Sequence, residues 1–307
     1  MADWRRDFGT ALAGAAVCVK ADEMLAEHTT FGIGGPVDLW VEVNDIDALR
    51  KVLRFCQISG VEWWLLGRGS NVLVSDQGLR GMVIKLGAGF STIGVQGETV
   101  RAGAAAMLDD IAETAARAGL CGAEFLAGIP GTVGGGLQTN AGAFGRSLAD
   151  ILERVTVMDW GKVQELGRKE LKKGYRKAVT PAGMVVTEVV LRLGKSGSRQ
   201  LIAENQNIRG KRCTKQPSEP SAGSFFRNPE NIAAGRIIEQ CGLKGERIGG
   251  ARVSEKHANF IVNSGGASFA DVYELVQIIK ACVEEKTGIE LGEEVQVLPR
   301  WENGKRR

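Results

Sequence analysis

The chain has 307 residues, 44% of them hydrophobic and 24% charged, with a formal net charge of +3 at pH 7. This length exceeds one typical core and favours two or three domains. The small net charge argues against a protein that coats nucleic acid, but it allows a local basic pocket for a phosphorylated ligand. The apolar runs are too short for a transmembrane helix, so we expect no membrane partner.

Six cysteines and two histidines are scattered along the chain. No Cys-x-x-Cys pair occurs, and no histidine lies at a ligand spacing from a cysteine, so we expect no metal site. Isolated cysteines in a long chain are typical of buried thiols in a reducing compartment, which makes the cytoplasm the expected location. Residues 11–19 are mildly apolar, but this run is too short to favour a signal peptide.

The first 86 residues predict a small α/β unit. Apolar residues recur at helical spacing over 44–59, where Asn44 is the predicted cap. Short strands are predicted over 63–66, 72–74 and 82–86, and glycine-containing turns separate them.

A second unit of mixed α+β structure is predicted to follow. Strands are expected over 92–95 and 99–102, and a helix over 107–118. Beyond a glycine-rich stretch, three further segments favour extended structure, the last of them because it is rich in β-branched valine. These segments are 154–158, 162–165 and 184–193.

The C-terminal third combines helices with segments that prolines interrupt. Helices are predicted over 198–213 and 231–240. The most regular helical pattern covers 268–287, where Ser268 is the predicted cap and a glycine closes the helix. A final strand is predicted over 295–298.

The segment 66–74 predicts two strands joined by a glycine turn. Gly67 and Gly69 permit positive φ and leave backbone N–H groups for an anion such as a pyrophosphate, while Ser70 and Asn71 add side-chain donors. On spacing alone, an ordinary hairpin turn is favoured. A strand rather than a helix follows, so the segment is not the Gly-x-Gly-x-x-Gly fingerprint of a dinucleotide-binding βαβ unit, and the sequence contains no P-loop motif.

Glycine is densest over 128–136 and 140–145. So many small residues cannot fill a core, but they permit the backbone to approach a flat or bulky ligand closely. A flexible linker is the alternative, yet linkers do not interleave isoleucine, proline, valine, asparagine and phenylalanine with glycine. We therefore favour a ligand cradle.

Two further segments carry groups suited to chemistry. The run 222–229 places Ser224 between a glycine and two phenylalanines, followed by a cation, an amide and a proline. Tyr175-Arg176 is either a solvated basic turn or an arginine that an aromatic ring holds and that clamps a carboxylate. No Gly-x-Ser-x-Gly elbow occurs, so a serine hydrolase is not favoured, although a serine hydroxyl can donate a proton.

An ordered set of blocks resembles one family, the UDP-N-acetylenolpyruvoylglucosamine reductases, over nearly the whole chain. One such block would be a weak signal, whereas the full series in order is strong. The blocks are 28–36, 66–74, 129–145, 222–229, and the closing pair 257–263 and 291–295.

The resemblance implies an α+β protein with an FAD-binding fold of the vanillyl-alcohol-oxidase type, made of two α/β subdomains, and a C-terminal α+β substrate domain. The subdomains would cover 1–86 and 87–205, with FAD bound noncovalently between them. The substrate domain would cover 206–289, and a strand within 290–307 would return to the first subdomain. The implied protein is a monomer or weak oligomer.

The implied reaction is the NADPH-dependent reduction of the enolpyruvyl ether of UDP-N-acetylglucosamine to UDP-N-acetylmuramate, a step of peptidoglycan precursor synthesis. By similarity, Ser224 protonates the substrate carbon after hydride transfer, while Arg176 and Glu294 stabilise the charge that develops on the carboxylate. The residues implied for substrate binding are Arg227, Asn228 and Tyr175. Those implied for cofactor binding are Gly67, Gly69, Ser70, Asn71, Gly128, Ile129, Pro130, Gly131, Thr132, Gly134, Gly135, Asn140 and Gly142.

Some positions depart from the family pattern. Gly32 and Gly136 stand where larger residues are common, and Gly292-Glu293 replaces a more usual Glu-Pro, so the assignment of Glu294 depends on register with the following valine. The chain has only two tyrosines, so we expect the shorter class of the family, which lacks a tyrosine-bearing loop.

Two other functions stay open at this point. Another flavin oxidoreductase of the same fold, acting on a small alcohol or hydroxy acid, would use the same cradle without needing Ser224 and Glu294 together. A noncatalytic protein that binds flavin or a nucleotide sugar would retain the cradle but not transfer hydride.

Overall fold

The computed structural model describes residues 4–171, 174–181, 183–299, 301–302 and 305–306. Two compact units are formed by alternating segments of the chain. The first unit comprises Met1–Ala21, Leu39–Gly67 and Gly81–Lys211; the second comprises Asp22–Asp38, Arg68–Arg80 and Arg212–Arg307. The division into three domains at residues 86 and 205 stays a prediction.

Helices and strands alternate along the described chain. The helices are α1 (Trp4–Ala11), α2 (Ile46–Ser59), α3 (Leu108–Arg117), α4 (Val133–Thr139), α5 (Leu148–Ile151), α6 (Ser198–Lys215), α7 (Ala234–Gln240) and α8 (Phe269–Thr287). The strands are β1 (Val17–Met24), β2 (Pro36–Val43), β3 (Trp63–Leu65), β4 (Val72–Val74), β5 (Leu79–Leu86), β6 (Ile93–Gln96), β7 (Thr99–Gly103), β8 (Leu120–Cys121), β9 (Gly142–Ala143), β10 (Arg146–Ser147), β11 (Leu152–Asp159), β12 (Lys162–Gly167), β13 (Val185–Arg192), β14 (Gly194–Lys195), β15 (Ser221–Ser224), β16 (Arg247–Ile248), β17 (Ala251–Val253), β18 (Phe260–Asn263), β19 (Gln296–Leu298), β20 (Trp301–Glu302) and β21 (Lys305–Arg306).

The first unit contains the short strand pairs β9-β10 and β8-β14 and two larger sheets. One has the strand order β1-β2-β5-β3, in which β3 and β5 are parallel. Helix α2 buries Leu49, Val52 and Leu53. Its cap is Asp45 and not the predicted Asn44, because the Asp45 carboxylate accepts a hydrogen bond of 2.7 Å from the Ala48 N–H. An aspartate at this position also suits the positive end of the helix dipole.

The other sheet of the first unit is antiparallel throughout, with the strand order β12-β11-β13-β7-β6. The valine-rich strand β13 pairs with β11, so that Val189 lies opposite Val155 and both are buried. One continuous apolar cluster joins this sheet, α3 and the β1-β2-β5-β3 sheet into the core of the first unit.

The second unit has the antiparallel sheet β15-β18-β17-β16 and a parallel pair formed by β19 and β4. Helix α8 begins after Ser268 and ends before Gly288, as predicted. A capping box between Ser268 and Asp271 satisfies N–H groups at the helix start. Backbone N–H bonds from Ser268 and Gly250 lower the pKa of the Asp271 carboxyl, the Ser268 bond contributing most.

Several elements differ from the sequence predictions. The glycine-rich stretch contains the helix α4, and the predicted helix over 231–240 begins only at Ala234. Strands β1 and β2 were not predicted, because their exposed polar and buried apolar residues do not alternate regularly. Lys172 and Lys173 of the basic stretch before Tyr175, and residues 300, 303, 304 and 307 of the predicted C-terminal segment, lie outside the described residues.

Within the part of the chain that the structure describes, no helix has the length and apolar character needed to cross a bilayer. The six cysteines form no disulfide, and Cys18 and Cys213 are exposed.

Candidate active site

The glycine-rich segment of the first unit forms a loop, 128–132, that leads into α4. Gly128 has φ +73°, a conformation that favours glycine. Its N–H donates to Asp109 Oδ1 over 2.7 Å, and the Leu108 N–H donates to the Gly131 carbonyl over 2.9 Å. Both ends of the loop are therefore fixed to the start of α3.

Three glycines predicted to contact a ligand are required by packing inside the protein. A Cβ atom on Gly67 would lie 2.6 Å from Thr132 Oγ1, one on Gly134 would lie 2.9 Å from the Ala104 Cβ, and one on Gly142 would lie 2.3 Å from the Arg146 carbonyl oxygen. The first of these distances also shows that the two predicted flavin-binding loops meet in the first unit at Gly67 and Thr132.

Gly135 differs from these three glycines. It is exposed, and a Cβ atom there would meet only Thr132 Oγ1, at 3.3 Å. Thr132 Oγ1 accepts a hydrogen bond from the Gly135 N–H and so caps α4. Ile129 is half-buried and Pro130 is exposed in the same loop. Gly135 is thus a glycine whose side-chain space the protein leaves largely open.

Asn140 is buried and its side chain binds the protein itself. It ends α4 with φ +47°, accepts a hydrogen bond of 3.0 Å from the Ala149 N–H, and donates one of 3.0 Å to the Gly174 carbonyl. Asn140 therefore fixes the residue that precedes Tyr175, and the glycine-rich stretch and the Tyr175-Arg176 turn lie together in the first unit.

The Tyr175-Arg176 turn holds its arginine beside its tyrosine. The guanidinium carbon of Arg176 lies 5.6 Å from the centroid of the Tyr175 ring, within the range of a cation–π contact. Arg176 has φ +51°, and Tyr175 is 58% exposed. The sequence hypothesis of an arginine held by an aromatic ring matches this geometry, and its role in binding a carboxylate stays a prediction.

The groups present in these loops fit a large dinucleotide. The segment 128–136 has no charged side chain, so no carboxylate of this loop would oppose a pyrophosphate. It offers main-chain groups, the Thr132 hydroxyl and the open position at Gly135, which permit close approach of a flat ring. Among the described residues, no group of three or more His, Cys, Asp or Glu side chains is placed to hold a metal ion.

In the second unit, Ser224 is the last residue of β15 and pairs with Phe260 of β18. The preceding Gly223 has φ +81°, and a Cβ atom on it would lie 3.8 Å from the Ser70 carbonyl oxygen. Ser224 is half-buried. The predicted catalytic serine and the Ser70 turn are therefore brought together.

The two phenylalanines after Ser224 anchor its loop in the core of the second unit. Phe225 and Phe226 are each 1% exposed, and their ring centroids are 5.3 Å apart. Burying two aromatic side chains contributes on the order of 2–3 kcal/mol each to the stability of the loop position.

Glu294 lies on the segment that adjoins the serine loop. Its N–H donates to the Phe225 carbonyl over 2.8 Å, and the Arg227 N–H donates to the Gly292 carbonyl over 2.8 Å. The carboxylate of its neighbour Glu293 is bound by Lys280 Nζ at 3.3 Å. This ion pair joins Glu293 to α8, and the assignment of Glu294 as the catalytic carboxyl stays a prediction.

Asn71 connects the glycine turn to the same segment. Its side-chain N–H donates to the Glu294 carbonyl over 3.2 Å, and its own carbonyl accepts from the Gln296 N–H over 3.0 Å. The hairpin alternative for this turn is wrong among the described strands, since β3 pairs with β5 and β4 pairs with β19. Gly69 packs against the His28 carbonyl oxygen, which would lie 2.3 Å from a Cβ atom on this glycine.

Arg227 and Asn228, which are predicted to bind substrate, are exposed. The Asn228 side-chain oxygen accepts a hydrogen bond of 3.0 Å from the Ala234 N–H at the start of α7. The Asn228 side-chain oxygen thus pairs with a backbone N–H group at the start of α7. Its amide N–H groups are the donors that it can offer to a phosphate.

His257 is a half-buried hydrogen-bond acceptor that precedes Asn259 by two residues. Its Nδ1 accepts a hydrogen bond of 3.2 Å from the Asn259 N–H, and its ring packs edge-on against Phe260. Burial, followed by the charge of Lys244, lowers the pKa of His257, which favours the neutral ring.

Sequence reasoning assigned no role to Asn259, which the structure places at the centre of these contacts. Its side-chain oxygen accepts from the Phe226 N–H over 2.9 Å, and its side-chain N–H donates to the Phe226 carbonyl over 2.8 Å. A signal was available, because an asparagine within the apolar run 258–262 must find hydrogen-bond partners when buried.

Comparisons with known proteins agree with this fold. Residues 216–298 match the C-terminal domain of the UDP-N-acetylenolpyruvoylglucosamine reductase family, and residues 37–167 match an FAD binding domain. A reductase of that name from Bacillus subtilis strain 168 is 41% identical over 284 residues, which are 91% of this chain and 94% of the relative. One from Symbiobacterium thermophilum is 43% identical over 283 residues, 91% of this chain and 92% of the relative.

Solved structures give the same result. The UDP-N-acetylenolpyruvylglucosamine reductase from Thermus caldophilus superposes with a TM-score of 0.80 at 37% identity, covering 92% of this chain and 99% of that one. A variant of Phl p 4, a glucose oxidase, has a TM-score of 0.50 at 15% identity over 62% of this chain and 44% of that one, and this likeness shows the fold alone.

The fold is the FAD-binding fold of the vanillyl-alcohol-oxidase type with an added C-terminal domain, and the protein is an FAD-dependent oxidoreductase. Within that class, the chain belongs to the UDP-N-acetylenolpyruvoylglucosamine reductase family.

Proposed function

We propose that the protein uses NADPH and FAD to reduce UDP-N-acetyl-3-O-(1-carboxyvinyl)-glucosamine to UDP-N-acetylmuramate, in the cytoplasm, for peptidoglycan precursor synthesis. Membership of the reductase family supports the substrate. Six cysteines without a disulfide support a reducing compartment. A monomer or weak oligomer of the shorter class stays part of this proposal.

The observation that carries the proposal is the hydrogen bond that joins the loop of Ser224 to the segment of Glu294. Phe225, the residue after Ser224, accepts the Glu294 N–H at 2.8 Å, and Ser224 itself belongs to the adjoining sheet. A reduction that adds hydride to one carbon and a proton to the next needs a proton donor and a partner for the carboxylate. An oxidase acting on a small alcohol needs neither of these groups in this arrangement.

The roles of the cofactor loops follow from their chemistry. Bound FAD would supply hydride transfer to the substrate. The loop 128–132 and Gly135 would hold it through main-chain groups and close approach, and Gly69, Ser70 and Asn71 would add donors. Asn140 and Gly142 would act by holding the loop in shape, since the Asn140 side chain bonds to the main chain and a Cβ atom on Gly142 would overlap a carbonyl oxygen.

The residues of the reaction itself have complementary roles. Ser224, half-buried at the end of a strand, would give its hydroxyl proton to the substrate carbon. Arg176 would bind the substrate carboxylate, where negative charge develops. Glu294 would donate a hydrogen bond to the same charge, and it must be protonated to do so.

The remote end of the substrate would be bound by the exposed groups beyond Ser224. Arg227 and the amide N–H groups of Asn228 suit a pyrophosphate, and Tyr175 offers a ring and a hydroxyl. Binding energy from this end would orient the enolpyruvyl group for reaction.

An anaerobic titration tests this function. The visible spectrum of the purified holoprotein is recorded, NADPH is added, and then the enolpyruvyl UDP-sugar is added. We expect the yellow chromophore to bleach and then to recover. Bleaching without recovery would retain the flavoenzyme and contradict the substrate, whereas a colourless protein that FAD cannot reconstitute would contradict the whole proposal.

A further inference from the structure

Asn259 lies where the ladder between β15 and β18 ends. Its backbone carbonyl accepts the Phe225 N–H over 2.7 Å, and the place opposite the next residue, Phe226, lies beyond the paired strands. The Asn259 carboxamide takes that place, with its oxygen 2.9 Å from the Phe226 nitrogen and its nitrogen 2.8 Å from the Phe226 oxygen. The side chain thus imitates a peptide group.

The contacts on the other side of Phe226 explain why its hydrogen bonds with Asn259 matter. Phe226 pairs with Glu293 as an antiparallel bridge, and the hydrogen bonds of that bridge come from its neighbours, Phe225 with Glu294 and Arg227 with Gly292. The N–H and C=O of Phe226 therefore point away from the Glu294 segment, toward Asn259. Asn259 is 3% exposed, so water cannot easily replace it.

We infer that Asn259 is a positioning residue for the reaction: its carboxamide fixes the Phe226 peptide groups and thereby holds Ser224 and Glu294 in catalytic register. This inference rests on the proposed function, since it assigns Asn259 a task in the step that Ser224 and Glu294 would perform. Asn259 does not act on the substrate itself. Its contribution is to limit the displacement of two groups that must meet one reacting centre.

The discriminating variants are Asn259→Asp and Asn259→Ala. A protonated aspartic acid matches asparagine, because its carbonyl oxygen can accept the Phe226 N–H and its O–H can donate to the Phe226 carbonyl. An ionised carboxylate can make only the first of these bonds. Burial favours the protonated form of the introduced acid, so function should return as the pH falls.

The kinetic experiment measures the two half-reactions of the holoenzyme separately by stopped flow. In Asn259→Ala we expect reoxidation of the reduced flavin by the enolpyruvyl UDP-sugar to slow by about 10²-fold, while flavin reduction by NADPH stays within about twofold. In Asn259→Asp we expect the reoxidation rate, relative to that of the wild type, to rise as the pH is lowered, with no such rise in Asn259→Ala.

Asn263 provides a matched control on the same strand. Its side chain bonds to the Phe31 carbonyl and to the N–H groups of Gly265 and Ala267, not to the serine loop. We expect Asn263→Ala to leave the ratio of the two half-reaction rates at its wild-type value. Equal slowing of reoxidation in Asn263→Ala and Asn259→Ala would overturn the inference, because it would show a general loss of structure.

A measurement without substrate separates this inference from the proposed function. Hydrogen–deuterium exchange of the peptide that contains Phe225 and Phe226 should speed up in Asn259→Ala and stay near wild type in Asn263→Ala. If wild type is not reoxidised by the UDP-sugar, the proposed function fails whatever Asn259 does. If wild type turns over and Asn259→Ala matches it in both reoxidation and exchange, the positioning role is wrong.

Discussion

The glycine-rich loop of the first unit and the serine loop of the second unit are both short, but different forces hold them. Close packing around glycines shapes the first loop, because a Cβ atom on Gly67 would lie 2.6 Å from Thr132 Oγ1 and one on Gly134 would lie 2.9 Å from the Ala104 Cβ. A buried side-chain network shapes the second, through Asn259 and two buried phenylalanines.

This difference indicates what each loop can tolerate. A loop whose shape depends on glycines is sensitive to any added side-chain atom, but it contains no reactive side chain whose orientation must be fixed. A loop held by a buried amide is sensitive to the loss of one hydrogen-bonding group, because an unsatisfied buried donor or acceptor costs about 1–3 kcal/mol. The first loop therefore suits contact with a cofactor, and the second suits the placement of a reactive hydroxyl.

The largest expected effect follows the removal of that hydroxyl. In Ser224→Ala, we expect reoxidation of the flavin by the UDP-sugar to fall by about 10²–10⁴-fold, the usual contribution of a positioned general acid. Flavin reduction by NADPH should stay at the wild-type rate, since it needs no proton from Ser224. Stopped-flow absorbance of the two half-reactions measures both rates.

The neighbouring Ser221 is the matched control for this change. It lies at the other end of β15, where its backbone bonds to Thr30 and its hydroxyl accepts the Gly223 N–H over 3.5 Å. We expect Ser221→Ala to retain reoxidation within a few-fold of wild type. Unchanged turnover in Ser224→Ala would remove the serine from the mechanism and would contradict the division of labour between the two loops.

A smaller effect, on stability, should follow Gly134→Ala. The added methyl would lie 2.9 Å from the Ala104 Cβ and 3.0 Å from its carbonyl oxygen, so the backbone must move. Overpacking of this kind costs about 1–3 kcal/mol. Urea unfolding of the apoprotein measures that cost without any contribution from the cofactor.

Gly135→Ala sharpens the same comparison. The space at Gly135 is open apart from Thr132 Oγ1 at 3.3 Å, and alanine is favoured over glycine within a helix by about 1 kcal/mol. We expect apoprotein stability to stay within about 1 kcal/mol of wild type while FAD binds more weakly in a fluorescence titration. If Gly134→Ala is as stable as wild type, the packing explanation of this loop is wrong.

The fold was predictable where local patterns determine it. Helix α8 is an example, because Ser268, the buried apolar positions and Gly288 all indicate the same boundaries. The pairing of β4 with β19 was not predictable from periodicity, since Val72 and its partner Gln296 are 224 positions apart in the sequence. The short turn between β3 and β4 suggests a hairpin instead. The assignment of strands to sheets depends on long-range contacts that spacing does not encode.

The candidate site was predictable only in part, for a similar reason. The residues with reactive groups, such as Ser224 and Arg176, are evident from the sequence, and the family comparison supports the class of chemistry. The residues that hold them are not evident. The hydrogen bonds of Asn140 to Ala149 and Gly174 were not predictable from the sequence, although a buried amide must satisfy its donors and acceptors, and its contact with the cofactor stays a prediction.

The smallest expected effect is a pH dependence of the free energy of unfolding. It arises from His257, which accepts a hydrogen bond from the Asn259 N–H. Burial lowers the pKa of His257 below its unfolded value of 6.5, although a hydrogen bond with its own backbone and the charge of Glu239 oppose this shift. The folded state thus favours the neutral His257 ring. The contribution of this ring to the free energy of unfolding is complete above about pH 6.5. As the pH falls below that value, the unfolded state takes up the proton more readily, and this contribution is lost.

Urea unfolding at pH 7.5, 6.5 and 5.5 measures this loss, with His257→Asn as the comparison. An asparagine oxygen can accept the Asn259 N–H in place of Nδ1 but does not titrate in this range. We expect the variant to lose less stability than wild type between pH 6.5 and 5.5. If the free energy of unfolding changes with pH in parallel for the two proteins, His257 does not couple protonation to folding. The position of Asn259 would then depend only on its hydrogen bonds with Phe226.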